Sequence, residues 1–272
     1  MYKTWFCFVL VLCLTIGPLA ARADDADLET LYHQAVAAME GLPQPLFVTY
    51  QMVGTSNGLK VGLIVQKGNV WLNMQPGDEA RSWTIRHRTV DYRSEMTDDS
   101  THEHFVTERS FFDPTWYGAY RALHQGMLNY QDPAPPRDAA AVDTSQPLRT
   151  IAVASVIGRN VYSLVDRGSQ ACPNGDPGHA LHLNARDHNP AHQLSDVIID
   201  MQLMRFCMMQ FTIKDAFGFH GTVETDYSAV GGYWLQTGGG IEGTLRAFGI
   251  ATHHGAWRYR LVDMQFPTAL QP

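Results

Sequence analysis

The sequence has little cysteine, little basic charge and few long apolar runs. It contains 4 cysteines in 272 residues, and 20 lysines and arginines against 27 aspartates and glutamates. The formal net charge of −7 disfavours nucleic-acid binding, which needs a basic footprint, and a basic patch for anionic lipid headgroups. Beyond the first residues, no apolar run approaches the length of a membrane-spanning helix. We therefore expect no nucleic-acid partner and at most a peripheral relation to a membrane.

The first 23 residues are typical of a secretory signal peptide. Lys3 supplies positive charge, an apolar run follows to Leu14, and Ala21-Arg22-Ala23 gives the small-x-small cleavage pattern. The apolar run is too short for a transmembrane helix. We expect cleavage near Ala23 and an exported chain, periplasmic or secreted. Loss of Lys3 and Arg22 raises the acidic excess from seven to about nine.

Only Cys172 and Cys207 remain after cleavage. In an exported chain, two cysteines are most simply a disulfide. The chain has no Cys-x-x-Cys motif, which argues against a redox role. The sequence therefore predicts a Cys172–Cys207 disulfide.

Hydrophobic periodicity predicts one domain, residues 24–272, that is mainly β with two helices. Helical spacing of apolar residues covers residues 24–40, and Asp113-Pro114 starts a second helix. Between and after these helices the period is two, in about a dozen segments separated by short turns, which indicates an antiparallel meander. A Pro- and Ala-rich stretch near residues 131–147 reads as an exposed excursion. So large a sheet is expected to curl on itself.

Residues 195–214 are predicted to form a central hairpin. Near its start the second arm is apolar on both faces, which predicts a place in the middle of the sheet. One face carries Cys207, Met209, Phe211 and Ile213, and the other carries Phe206 and Met208. The glycine pairs and runs mark turns: Asn57-Gly58 is typical of a hairpin, and Gly231-Gly232 and residues 238–240 are expected to be turns as well.

The order of elements resembles the outer-membrane lipoprotein-sorting, LolA-like superfamily. The resemblance rests on an exported chain that opens with one amphipathic helix, a long meander, a helix inserted midway, and the pair Asp196-Val-Ile-Ile-Asp200 and Arg205-Phe-Cys-Met-Met. It implies an incomplete β-barrel wrapped around two or three helices. It also implies an apolar cavity for acyl chains of lipoproteins or other lipids, although some members bind other envelope proteins instead.

No motif in the sequence indicates catalysis. Gly54-Thr55-Ser56-Asn57-Gly58 matches the Gly-x-Ser-x-Gly nucleophile elbow, but a strand rather than a helix follows it. A metal-dependent hydrolase would need a cluster of metal ligands. The densest candidate cluster comprises His179, Asp187, His188 and His192. Surface or hydrogen-bonded histidines are the simpler interpretation, so we expect no enzyme, no metal and no cofactor.

Large aromatic residues on alternating or helical positions could line a ligand cavity: Trp116, Tyr120, Phe217, Phe219, Tyr227, Trp257 and Tyr259. Methionines near residues 201–209 would adapt to varied apolar ligands. The same residues would equally suit a filled core. The sequence thus predicts a carrier for a hydrophobic ligand, such as the acyl chain of a lipid or lipoprotein, with an envelope protein partner as the alternative.

Overall fold

A computed structural model describes residues 25–66, 69–107, 112–116, 118, 148–149, 161–186, 193–216, 218–247 and 251–269. These contain one helix, α1 (Asp25–Glu40), and fifteen strands. In chain order the strands are β1 (Pro43–Gln44), β2 (Phe47–Asn57), β3 (Leu59–Gln66), β4 (Asn69–Pro76), β5 (Ala80–Arg88), β6 (Arg93–Asp98), β7 (His104–Thr107), β8 (Leu148–Arg149), β9 (Tyr162–Ser169), β10 (Gly178–Ala185), β11 (Leu194–Asp200), β12 (Arg205–Ala216), β13 (Phe219–Val230), β14 (Tyr233–Ala247) and β15 (Ala251–Gln265).

Eleven strands form one antiparallel sheet in the order β7-β6-β5-β2-β15-β14-β13-β12-β11-β10-β9. The sheet is curled but not closed into a barrel, which confirms the predicted fold class. Strand β12 lies between β11 and β13, so the predicted central position of this hairpin arm is correct. No helix in the described part of the chain is both long and apolar enough to cross a membrane.

One face of the sheet, which we call the inner face, packs against α1. Tyr32 of the helix contacts Phe206 of β12, with ring centroids 5.6 Å apart. On this side β13 buries Phe219, Val223 and Tyr227, as its alternation predicts. Residues of the opposite parity, such as Thr222 and Glu224, form the half-exposed outer face.

Two apolar clusters share the inner face. The first joins α1 to strands β9–β13 and is centred on residues such as Tyr32, Leu181, Val197 and Phe211. The second joins strands β2, β5, β6 and β13–β15 to the start of β3 and contains Val61. The hairpin β3–β4 forms a separate two-stranded sheet, and its base packs on the second cluster through Leu59, Val61 and Met74. We call α1 and this hairpin the two covers of the inner face.

The Cys172–Cys207 disulfide is confirmed, with the two Cα atoms 5.7 Å apart. Phe206 and Met208 pair with the consecutive residues Ile199 and Ile198, so Cys207 is the extra residue of a β-bulge. The bond ties β12 to the cystine loop, residues 170–177, which joins β9 to β10.

Two expected turns differ from the structure. Asn57-Gly58 does not close a hairpin, because β2 pairs with β5 and β15 rather than with β3. At Gly58, with φ of 71°, the chain leaves the main sheet and enters the covering hairpin. Residues 238–240 lie inside β14, whereas Gly231-Gly232 does form the β13–β14 turn.

Three predictions concern residues outside the described ranges. They are the signal peptide, the excursion near residues 131–147, and the second helix beyond Gly118. The single-domain boundaries accordingly stay a prediction.

Candidate functional site

The main sheet splits between β14 and β15, and a short segment fills the split. β15 pairs with β14 from Ala251 only as far as Arg260, while its later residues pair with β2 alone. Into this gap comes the wedge, residues 112–116: the Gln236 backbone N–H donates to the Pro114 carbonyl oxygen at 2.7 Å, and Thr115 forms a bridge with Leu235. The wedge therefore lies where the two halves of the sheet diverge.

The wedge also joins the two apolar clusters, because Phe112 belongs to the second and Trp116 to the first. Two buried tyrosines hold it. The Tyr50 hydroxyl donates to the Phe112 carbonyl oxygen at 2.6 Å, and the Tyr227 hydroxyl donates to the Trp116 carbonyl oxygen at 3.1 Å. These bonds give each of the two buried carbonyl groups a hydrogen-bond donor.

A buried His–Asp pair fixes the wedge to β5. His87 Nε2 lies 3.5 Å from Asp113 Oδ1, and both side chains are inaccessible to solvent. The other ring nitrogen, Nδ1, is 2.8 Å from Ser94 Oγ on β6, while Asp113 Oδ1 also accepts the Thr115 N–H at 2.9 Å. The arrangement is a polar anchor inside an apolar interior. Sequence analysis identified Asp113 only as a helix cap and missed His87.

Three inner-face aromatic rings lie flat over glycines of neighbouring strands. A Cβ atom at Gly54 would come within 2.5 Å of the Trp257 ring nitrogen, and one at Gly239 within 2.8 Å of the Tyr259 hydroxyl. The Phe219 ring covers Gly221 and Gly243 in the same way. At Gly54 the ring alone excludes a side chain, whereas at Gly239, Gly221 and Gly243 a Cβ would come still closer to a backbone carbonyl oxygen of a neighbouring strand. In the run at residues 238–240, where a turn was expected, a Cβ would meet the Tyr259 carbonyl oxygen at Gly238, the Glu224 carbonyl oxygen at Gly239 and the Arg258 side chain at Gly240.

The structure places five of the seven predicted ligand-lining residues on the inner face. Trp116, Tyr227 and Tyr259 meet around the wedge, since the Gln236 amide bonds Tyr259 beside the Gln236–Pro114 bond. Trp257 stacks on Tyr259 with centroids 4.6 Å apart, whereas Phe219 is further along the sheet. The other two, Tyr120 and Phe217, lie outside the described residues.

The electrostatics of the wedge region favour neutral groups. Burial raises the pKa of Tyr50 well above its ordinary value, and the neighbouring Asp113 raises it further. Burial likewise raises the pKa of Tyr227 and of Tyr259. These hydroxyls are thus protonated hydrogen-bond donors at any physiological pH, not nucleophiles or bases.

The described part of the chain contains no group of three or more metal-ligating side chains. His179, the only described member of the histidine cluster, is 2.8 Å from Asp166 Oδ1; Asp187, His188 and His192 lie outside the described ranges. His182 similarly pairs with Asp196 at 2.8 Å. These two histidines have the hydrogen-bonded role that the simpler interpretation gave them.

The two covers of the inner face, α1 and the β3–β4 hairpin, are not part of the hydrogen-bonded main sheet. Among the described residues no backbone hydrogen bond joins α1 to the main sheet. The β3–β4 hairpin meets the sheet at its base, where Gly58 forms a bridge with Ala256 and the glycine Gly255 permits close backbone approach. Apolar side chains pack between each cover and the sheet, and an ion pair of 3.1 Å between Glu29 and Arg186 also joins α1 to the residue after β10.

No known protein family matches the sequence, and no curated protein matches it. Solved structures with some likeness include a putative outer membrane lipoprotein-sorting protein domain from Vibrio parahaemolyticus, with 11% identity, 91% of this chain and 95% of that chain covered, and a TM-score of 0.35. A LolA superfamily protein from Nitrosomonas europaea has 10% identity, 88% and 93% coverage, and a TM-score of 0.37.

A third, lipovitellin, has 9% identity, 84% and 26% coverage, and a TM-score of 0.29. The first two structures bear the name of the superfamily that the sequence resembles. At these identities and scores the likeness says nothing about ligands, for which the geometry of the inner face is the guide.

Proposed function

We propose that this protein is an exported, non-enzymatic binding or carrier protein for a hydrophobic ligand, an acyl chain of a lipid or lipoprotein. One observation carries the proposal: two apolar clusters share the inner face of an open sheet, beneath two covers that, among the described residues, lie outside its ladder of backbone hydrogen bonds except at the base of the β3–β4 hairpin. Covers held by side-chain packing can separate from a sheet without breaking its ladder of hydrogen bonds. An acyl chain could then replace the covering side chains on the apolar surface.

The energetics of such an exchange suit reversible binding. Burial of apolar area stabilises a bound chain by about 25 cal/mol per Å², and the covers give up similar contacts when they move. Methionines such as Met39, Met52, Met96 and Met209 contribute to the two clusters. Their flexible side chains can repack around ligands of different shape.

Within this proposal the acyl chain enters the inner face at the wedge. The wedge lies in the split between β14 and β15, next to Trp116, Tyr227 and Tyr259, and it touches both clusters. The stacked pair Trp257–Tyr259 would form the floor on the side of the second cluster, with Phe219 beyond it. Tyr120 and Phe217 stay proposed ligand contacts on sequence grounds alone.

Fluorescence quenching by a lysophospholipid with a brominated acyl chain tests the proposal. Bromine quenches tryptophan at contact distance, and Trp116, Trp234 and Trp257 are nine-tenths or more buried in the two clusters. We expect saturable quenching below the micelle concentration of the lipid. Trp257→Phe should reduce the component that arises from a chain in the second cluster and leave the part that arises from Trp83.

The control is a double variant, Met201→Ser with Leu203→Ser, because these are exposed apolar side chains at the β11–β12 turn. It should quench like the wild type if the chain lies inside. Quenching that is absent, or that disappears in this variant, would mean that the interior does not accept an acyl chain.

The same turn favours a second candidate function, binding of an envelope protein. Met201 and Leu203 are 43% and 46% exposed on a rigid turn, where Asp200 Oδ1 accepts the N–H groups of Gln202 and Leu203 at 2.8 and 2.9 Å. If this function is correct, the protein isolated from its own compartment carries a stoichiometric polypeptide that the double variant loses.

A further inference from the structure

A pocket of about 380 Å³ lies on the outer face of the sheet, across strands β9–β12. Its location follows from strand parity. Ile199 pairs with Phe206, which faces α1, so Ile198 and its partners Ala180 and Met208 point to the outer side. The volume falls within the range of small-molecule sites in proteins, roughly 300–1,000 Å³. The pocket opens on the outer face, although its lining also includes Leu181 and Val197, whose neighbours in the first cluster reach α1 on the other side of the sheet.

The floor of the pocket is apolar and runs in a straight line across the strands. Ala180, Ile198 and Met208 pair side by side on β10, β11 and β12, and each is at least nine-tenths buried. Adjacent strands are about 4.8 Å apart, so the distance from β9 to β12 is about 14 Å. The cystine loop borders this floor, since a Cβ at Gly178 would lie 2.7 Å from Ile198 Cγ2 and 3.2 Å from Cys172 Sγ.

The positively charged side chain of Arg167 lies at one end of this floor. Arg167 lines the pocket together with Gln170, and a β-bulge sets the position of Arg167. Asp166 and Gly168 pair with the consecutive residues Leu181 and Ala180, which makes Arg167 the extra residue. Gly168 has φ of 80°, and its N–H donates to Asp166 Oδ1 at 2.7 Å. Bulges of this kind redirect a side chain.

The carboxylates around Arg167 are already engaged. Asp166 is bonded by His179 and Asp196 by His182, each at 2.8 Å. Within the described ranges no carboxylate lies within ion-pairing distance of the Arg167 guanidinium. A guanidinium offers a planar pair of N–H donors that matches a carboxylate. The pocket thus combines an unmatched cation with an apolar floor.

We propose that this outer pocket binds a small amphiphilic monocarboxylate. The carboxylate lies at Arg167 and Gln170, and the aliphatic chain runs over Ala180 and Ile198 toward Met208. Asp196 enforces this orientation, because its negative charge on the pocket wall repels the head group from that side. The site is independent of the acyl-chain site proposed for the inner face.

Octanoate is the probe, and the readout is NMR of ¹³C-labelled methionine methyl groups. Met208 lies on the pocket floor, while Met209, the next residue, is buried on the inner face and serves as the internal control. We expect octanoate to shift the Met208 methyl resonance saturably and to leave that of Met209 unchanged. Acetate, which lacks the chain, and octanol, which lacks the charge, should bind at least about tenfold more weakly.

Arg167→Gln should weaken octanoate binding by about tenfold or more, because it removes a charge-assisted hydrogen bond. Arg186→Gln is the matched control, since Arg186 is also exposed but is paired with Glu29 at 3.1 Å, away from the pocket. Thermal melting of each variant verifies that it is folded. An unshifted Met208 resonance, a shift at Met209 instead, or equal affinity of Arg167→Gln and the wild type would overturn the proposal.

Discussion

The Trp257 ring lies over Gly54 of the adjacent strand, so closely that a methyl group at Gly54 would come within 2.5 Å of the indole nitrogen. The ring is 6% exposed and also packs edge-on against Trp83, with centroids 6.5 Å apart. The position of this ring in the second cluster therefore depends on the absence of a side chain on β2.

Gly54→Ala should destabilise the fold by about 1–3 kcal/mol, because the added methyl group overpacks a filled site. Tryptophan emission should shift as Trp257 moves. Gly41→Ala is the matched control, since nothing lies within 4 Å of a Cβ there. Urea denaturation measures both. Equal stability of the two variants would show that the ring is not held against Gly54.

Removal of the disulfide should lower stability. Cys172 and Cys207 are 35 residues apart, and a bond closing such a loop contributes about 2–4 kcal/mol. We expect Cys207→Ala to lower the melting temperature and to expose one titratable thiol, that of Cys172. A wild-type protein with two thiols under non-reducing conditions would contradict the bond.

The pairing of these cysteines and the mainly β fold could be predicted because both depend on local signals. Alternation in β13 and β15 identified their buried faces, and the two cysteines that remain after the predicted signal peptide leave one pairing. The split between β14 and β15 had no such signal. It depends on which strand each half of β15 pairs with, and this is a long-range choice.

Glycine was the residue type that misled the sequence analysis most. Inside β14, residues 238–240 resemble a turn, but the Tyr259 ring and the Arg258 side chain lie across them from β15. The glycines are thus required by the close approach of both neighbouring strands, including the Glu224 carbonyl oxygen on β13 and the Arg258 side chain on β15. Recognising such a relationship from one sequence needs the strand register in advance.

The wedge should depend on its two tyrosine hydroxyls. Tyr50→Phe and Tyr227→Phe each leave a buried carbonyl group without its donor, which costs about 1–2 kcal/mol. Because both bonds hold one segment, the double variant should lose less than the sum. Tyr233→Phe, at the β13–β14 turn, is the control and should change little. Full additivity in denaturant unfolding would mean that the wedge does not act as a unit.

Asp226 should make the protein less stable as the pH rises. Burial, with the nearby Glu224, raises the pKa of Asp226 to about 6, although Arg258 opposes the shift. The folded state thus holds this proton more tightly than the unfolded state, and stability falls as pH increases from about 4 to 6. Asp226→Asn should therefore be about 1 kcal/mol more stable than the wild type at pH 8, with no gain below pH of about 4.

Asp196→Asn provides the comparison for that prediction, because Asp196 is hydrogen-bonded to His182 and should gain no stability at pH 8. Denaturant unfolding at several pH values distinguishes the two variants. A gain for Asp226→Asn that is the same at pH 4 and pH 8 would rule out the titration of Asp226 as its cause.

The most direct test of the central claim is native mass spectrometry of the protein, isolated gently from the cells that make it and then extracted with organic solvent. We predict a species heavier than the polypeptide by the mass of an acyl lipid, which extraction removes. In Trp257→Ala or Phe219→Ala the occupancy should change, since both rings lie on the inner face. Two results together would contradict the claim that the inner face carries a hydrophobic ligand. They are a mass before extraction that equals that of the polypeptide alone, and no quenching by the brominated lipid.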